Sequence, residues 1–193
     1  MNLANYVTLL RIPLLFLIVL FMYFDFPGSA SLSIILFIFS GTTDWLDGYL
    51  ARKYKIISTL GTFMDALTDK IFMIGIMVTL LALRILPLWT LFLILLIIGR
   101  EFLVTTLRLV AATKNVVISA NMSGKVKTVL QIVATGVMII WFALTRDFGR
   151  WLKPSYISWI YYGGFVLFLI STYLTISSGI LYVIQNKVLL HDR

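Results

Sequence analysis

The chain has 193 residues, of which 61% are hydrophobic and only 12% charged, with a mean hydropathy of +1.01. A soluble domain carries about 25% charged residues, so the composition points to an integral membrane protein. The net charge of +8 favours anionic lipid or an anionic substrate over nucleic acid, since no basic patch interleaved with stacking aromatics accompanies it, and without cysteine neither disulfide nor thiolate chemistry is available.

Six apolar stretches are long enough to cross a bilayer, which takes about 20 helical residues. They read as 6–25, 32–51, 60–83, 87–112, 125–145 and 157–186. No internal repeat, low-complexity tract or soluble portion is left over. The expected fold is an all-α integral membrane protein, six transmembrane helices in a single domain over residues 1–193. The first stretch has no basic residue ahead of Arg11 and no clear small-residue cleavage site after it, so it reads as a retained helix. It carries Asn5, Thr8 and Arg11 at helical spacing, on one face near one end. Such a row can anchor the helix at the interface or contact a bound ligand.

The second and third stretches hold four of the eight acidic residues between 44 and 69. Asp44 and Asp47 are three apart and Asp65 and Asp69 four apart, so each pair shares one face of its helix. Residues 52–59 read as a polar turn between antiparallel helices. Folding back about residues 56–57 sets Asp47 level with Asp65 and Asp44 level with Asp69, roughly 12–20 Å from the turn at about 1.5 Å per residue. Lys70, Arg52, Arg100 or Arg108 could pair with one such carboxylate, but four in mirrored register exceed what pairing requires, and intramembrane charge is costly. Four like charges together need a counter-charge, and carboxylates are ligands that Mg²⁺, Mn²⁺ and Ca²⁺ prefer. Gly48, Ala51 and Gly61 lie beside the carboxylates and allow close helix approach or access of a ligand to the backbone. Two metals on four carboxylates form a clamp for phosphate or diphosphate chemistry, and one carboxylate could serve as general base.

In the fourth stretch Arg100-Glu101 interrupts an apolar run. Sequence neighbours do not face each other on a helix, so each is expected to pair with another element. Ahead of the fifth, Ser119 to Lys127 resembles a phosphate-cradling loop only superficially: Ser119 replaces its first glycine and Val126 its hydroxyl residue. A cationic helix start remains, where Lys125 and Lys127, with Arg108 nearby, could hold an anionic group. Positive-inside topology and attraction to anionic lipid are the plainer explanation. The sixth stretch is aromatic-rich and contains Gly163-Gly164, which could pack a partner. The only histidine, His191, reads as a solvated tail residue.

Basic residues set the orientation. Arg11, Arg52, Lys53, Lys55, Lys114, Lys125, Lys127, Lys187 and Arg193 fall on one side, and Arg84, Arg146, Arg150 and Lys153 on the other. The first side, with both termini and the carboxylates, is expected to be cytoplasmic.

The pattern D-x-x-D-G-x-x-A-R, eight residues, G-x-x-x-D-x-x-x-D over Asp44 to Asp69 resembles that of the CDP-alcohol phosphotransferase family at every fixed position. Chain length and helix number are similar too. The resemblance implies transfer of a phosphatidyl group from CDP-diacylglycerol to an alcohol, with release of CMP, in the plasma membrane and by a homodimer. It implies that Asp44, Asp47, Asp65 and Asp69 bind two divalent cations, Mg²⁺ or Mn²⁺, and that Asp69 is also the base. Asn5, Thr8, Gly48, Ala51, Arg52 and Gly61 would bind CDP-diacylglycerol. The stretch Ser119-Ala to Gly124-Lys-Val-Lys127-Thr128 and Gln131 is similar to that of bacterial members whose acceptor is sn-glycerol 3-phosphate. Arg108, Lys125 and Lys127 would then hold the acceptor phosphate. Inositol phosphate or serine as acceptor, a metal-dependent lipid-phosphate hydrolase and a cation transporter are the competing readings. A transport site would lie nearer the midplane, often on broken helices.

Overall fold

The computed structural model describes residues 3–53, 59–113 and 122–185. Among them are six α-helices and no strand: α1 Leu3–Tyr23, α2 Ser29–Lys53, α3 Thr59–Ala82, α4 Thr90–Thr113, α5 Met122–Phe148 and α6 Pro154–Gln185. Every expected apolar stretch has its helix. Of the polar turn expected at 52–59, Arg52 and Lys53 instead end α2 and Thr59 begins α3, while 54–58 and the segment 114–121 lie outside the described residues.

Local chemistry ends the helices where the chain must reverse. After α1, Pro27 has no N–H to continue a helix, and Gly28 takes a φ of 87°. Asp147 at the end of α5 then caps α2, accepting from the backbone N–H of Ser31 at 2.7 Å and its hydroxyl at 2.5 Å. A carboxylate there is favoured by the partial positive charge of a helix N-terminus. At the end of α3, Ile85 N–H donates to the Leu80 carbonyl at 2.9 Å and Arg84 N–H to that of Leu81 at 3.0 Å. This is a Schellman closure, with Arg84 left-handed at φ 56° where glycine is more usual.

α1 packs against both α2 and α3, α5 against α2 and α6, and α4 against α6, while α3 also touches α4 and α5. The buried stripe of α1 runs Thr8, Arg11, Leu15, Ile18 and Met22, the three-and-four spacing of a helix face. Ile76, Met77 and Leu80 of α3, Ile97 of α4 and Met138 and Ile139 of α5 complete the core with it. Large apolar side chains such as Phe16, Ile35, Phe92, Leu95, Phe102 and Val129 point outward, a surface suited to lipid rather than water. Thr90–Ala111, Val126–Phe148 and Pro154–Gln185 are long and apolar enough to cross a membrane, and shorter apolar runs occupy Thr8–Tyr23 and Ser29–Thr43. The first half of α3 carries Asp65, Asp69 and Lys70, so its apolar run is interrupted at the candidate site.

Candidate active site

The stripe that packs α1 carries Arg11 into contact with α3. The Arg11 side chain is only 2% exposed, and its Nη1 donates to Asp69 Oδ1 and lies 3.5 Å from Asp65 Oδ1. Asp65 and Asp69, one helical turn apart, are each about half exposed (48% and 51%). The buried cation thus holds both carboxylates at the start of α3 while they remain accessible. Burying a guanidinium is costly unless it is paired and hydrogen-bonded, and two acceptors on one turn supply that pairing. Thr8, one turn before Arg11, is buried on the same face.

Asp44, Asp47, Gly48, Ala51 and Arg52 are carried by the last three turns of α2, and Asn5 by the start of α1; their side chains lie outside the described residues. Gly61 sits in the first turn of α3. The mirrored register of Asp44 and Asp47 with Asp69 and Asp65 therefore falls outside what the structure describes.

Beside Asp69 is a cavity of about 240 Å³ between α3, α4 and α5, whose polar lining includes Asp69, Lys70, Glu101, Thr128 and Gln131. Glu101 belongs to a polar network across three helices. Lys127 Nζ on α5 donates to Glu101 Oε1, Arg100 Nη1 reaches the same oxygen at 3.1 Å, and Arg100 Nη2 donates to Ser178 Oγ on α6 at 3.1 Å. Each member of the Arg100-Glu101 pair thus finds a partner on another helix, as expected, and the two also touch each other. Lys127 is buried at 4% exposure. Lys125 lies in the first turn of α5, its side chain outside the described residues. Arg108, two turns beyond Glu101 on α4, is exposed and directs Nε to Tyr182 Oη at 3.4 Å, its guanidinium carbon 5.7 Å from that ring's centre.

The family model of CDP-alcohol phosphatidyltransferases matches residues 1–183. The chain belongs to that family. Among its CDP-alcohol phosphatidyltransferase relatives, a Bacillus subtilis protein is 40% identical over 151 residues, covering 72% of this chain and 77% of its own. A Rickettsia bellii protein is 32% identical over 185 residues (94% and 93%), and a Salmonella choleraesuis protein 28% identical over 184 (94% and 93%). All three are named CDP-diacylglycerol–glycerol-3-phosphate 3-phosphatidyltransferase.

For a CDP-alcohol phosphatidyltransferase the described half of the carboxylate set has the right chemistry for a divalent cation. Asp65 and Asp69 are hard oxygen donors, one turn apart, accessible, and fixed in direction by Arg11. Sequence reasoning left Arg11 without a partner and gave Glu101 only a structural role. The signal for Glu101 was available: it is the one acidic residue between Asp69 and Asp147, set in an apolar run.

Proposed function

We propose that this family member catalyses transfer of the phosphatidyl group of CDP-diacylglycerol to sn-glycerol 3-phosphate, giving phosphatidylglycerophosphate and CMP. The observation that carries the reading is that relatives bearing that name align with nearly the whole chain. The buttressed Asp65–Asp69 pair beside a cavity that Lys70, Glu101, Thr128 and Gln131 also line suits such a reaction.

All 193 residues form one domain of six membrane-crossing helices in the plasma membrane, with the carboxylate end facing the cytoplasm, and the protein is a homodimer. The acyl chains stay in the bilayer while the diphosphate meets the carboxylates. Two divalent cations, Mg²⁺ or Mn²⁺, held by Asp44, Asp47, Asp65 and Asp69, would neutralise charge on the diphosphate when bound. Asn5, Thr8, Gly48, Ala51, Arg52 and Gly61 bind the CDP-diacylglycerol head group. Arg108, Lys125 and Lys127 hold the acceptor phosphate. Arg11 fixes Asp69, which accepts the proton of the acceptor's terminal hydroxyl. The hydroxyl oxygen forms a bond to the phosphorus that bears diacylglycerol, the bond from that phosphorus to the bridging oxygen breaks, and CMP departs with the electron pair. An isolated covalent phosphatidyl-enzyme would refute this single displacement.

The test is CMP release by purified protein with CDP-diacylglycerol and Mg²⁺ or Mn²⁺. Parallel reactions contain glycerol 3-phosphate, inositol phosphate, inositol, serine or no acceptor, each with a chelated control. Metal-dependent release with glycerol 3-phosphate alone is the expected result. Release without acceptor would mark a hydrolase, and release under no condition by folded protein would sink the catalytic reading.

A further inference from the structure

Glu101 is placed unlike a carboxylate that serves only to pair cations. Both its partners, Arg100 Nη1 and Lys127 Nζ, converge on Oε1, and Oε2 accepts no hydrogen bond among the described residues. A carboxylate has acceptor capacity on both oxygens, and with the Glu101 side chain 22% exposed Oε2 is left to accept from a ligand in the cavity that Glu101 lines. Across the cavity wall, Gln131 is 6% exposed, and its only side-chain hydrogen bond among the described residues runs from Nε2 to Met77 Sδ at 3.5 Å. A thioether is a weak acceptor. Two under-used polar groups therefore line a cavity that Asp69, Lys70 and Thr128 also line and whose remaining wall is methionine, isoleucine and alanine. Few polar groups converging on an apolar cavity are the mark of a ligand site.

Given the reaction proposed above, on which this inference rests, glycerol 3-phosphate brings two hydroxyls. The terminal one attacks at Asp69. The C2 hydroxyl, one carbon away, takes no part in bond making. We propose that Glu101 Oε2 and the Gln131 amide hold this spectator hydroxyl, which makes Glu101 a specificity-determining residue for a vicinal-diol phosphate. The hydroxyl donates to Oε2 and accepts from Gln131 Nε2, which leaves Met77. Arg100 and Lys127 position the carboxylate through Oε1.

The test compares sn-glycerol 3-phosphate with 3-hydroxypropyl phosphate, which lacks only the C2 hydroxyl, as acceptors for wild-type protein, E101Q and Q131L. A site built to bond a substrate hydroxyl rejects the analogue that lacks it. Wild type should prefer glycerol 3-phosphate by at least about tenfold in kcat/KM, a lower bound for one lost polar contact. E101Q should bring that ratio close to one, chiefly through KM for glycerol 3-phosphate, with KM for CDP-diacylglycerol unchanged. Q131L should lower it several-fold, and it keeps the readout available if E101Q does not fold. A purely structural Glu101 would depress both acceptors equally, so an unchanged ratio in the folded variants overturns the proposal. Equal use of both acceptors by wild type overturns it too. Absence of any turnover of glycerol 3-phosphate by wild type is a different result, because it removes the reaction itself.

Discussion

A guanidinium that is 2% exposed must be matched by charge, and Arg11 is matched by Asp65 and Asp69, which are about half exposed themselves. The asymmetry separates stability from activity. Replacing Arg11 by Met keeps the buried stem and removes the charge, and the carboxylates can rehydrate because they already reach solvent. The stability cost should be on the order of 1–2 kcal/mol, below the 3–5 of a pair broken in the interior. Turnover should fall more, by at least about tenfold, because Asp69 loses the contact that aims it. Thermal denaturation and CMP release on one preparation check this; a melting temperature that collapses with activity would make Arg11 a structural residue only. Asp69→Asn should lower turnover at least about hundredfold, the scale of a lost general base, with CDP-diacylglycerol binding largely retained. Loss of binding as well would assign Asp69 mainly to metal retention. The spacing of Asn5, Thr8 and Arg11 was legible before the fold was known, because helical periodicity is local. Which carboxylates Arg11 meets was not, since that depends on α1 packing in parallel beside α3.

The helices themselves were the most readable level, because each is built on a long apolar run bounded by proline, glycine or charge. The run expected at 157–186 is α6, Pro154–Gln185, and the one at 60–83 is α3, Thr59–Ala82. Less legible was the use of small residues. Gly163 and Gly164 look equivalent in the sequence, yet a Cβ on Gly164 would lie 2.9 Å from Val137 Cγ1 and 3.1 Å from Met138 Sδ, whereas one on Gly163 meets nothing within 4 Å. Gly164→Ala should therefore force α5 and α6 apart and destabilise by about 1–3 kcal/mol, the usual cost of overpacking. Gly163→Ala should be neutral or stabilising by up to about 1 kcal/mol, through helix propensity alone. Thermal melts of the two variants in one detergent separate these outcomes. A destabilising Gly163→Ala would show that this face is covered by something other than lipid or detergent, the second subunit being the first to examine.

At the scale of the molecule, the two ends carry separate groups of charges. Arg11, Asp65, Asp69, Glu101, Arg108 and Lys127 gather where α1 and α3 begin. Arg146, at the far end of α5, donates to the Met22 carbonyl at 2.7 Å and pairs with Asp25 at 2.9 Å where α1 ends. The links and the first two turns of α6 at that far end carry Trp89, Trp151, Tyr156 and Trp159, all well exposed, and aromatic rings with a polar edge collect at membrane–water boundaries. Nine basic residues against four predict a cytoplasmic carboxylate end, and the chain offers a direct way to test it. It contains no cysteine, so a single introduced thiol is the sole site for maleimide. Trp151 is 87% exposed in the link between α5 and α6, and Lys187 belongs to the basic set expected on the opposite side. In intact cells a membrane-impermeant maleimide should label W151C and leave K187C untouched, and permeabilisation should make both reactive. The reverse pattern would put the carboxylates outside the cell, away from cytoplasmic glycerol 3-phosphate, and the acceptor assignment would fall with the topology.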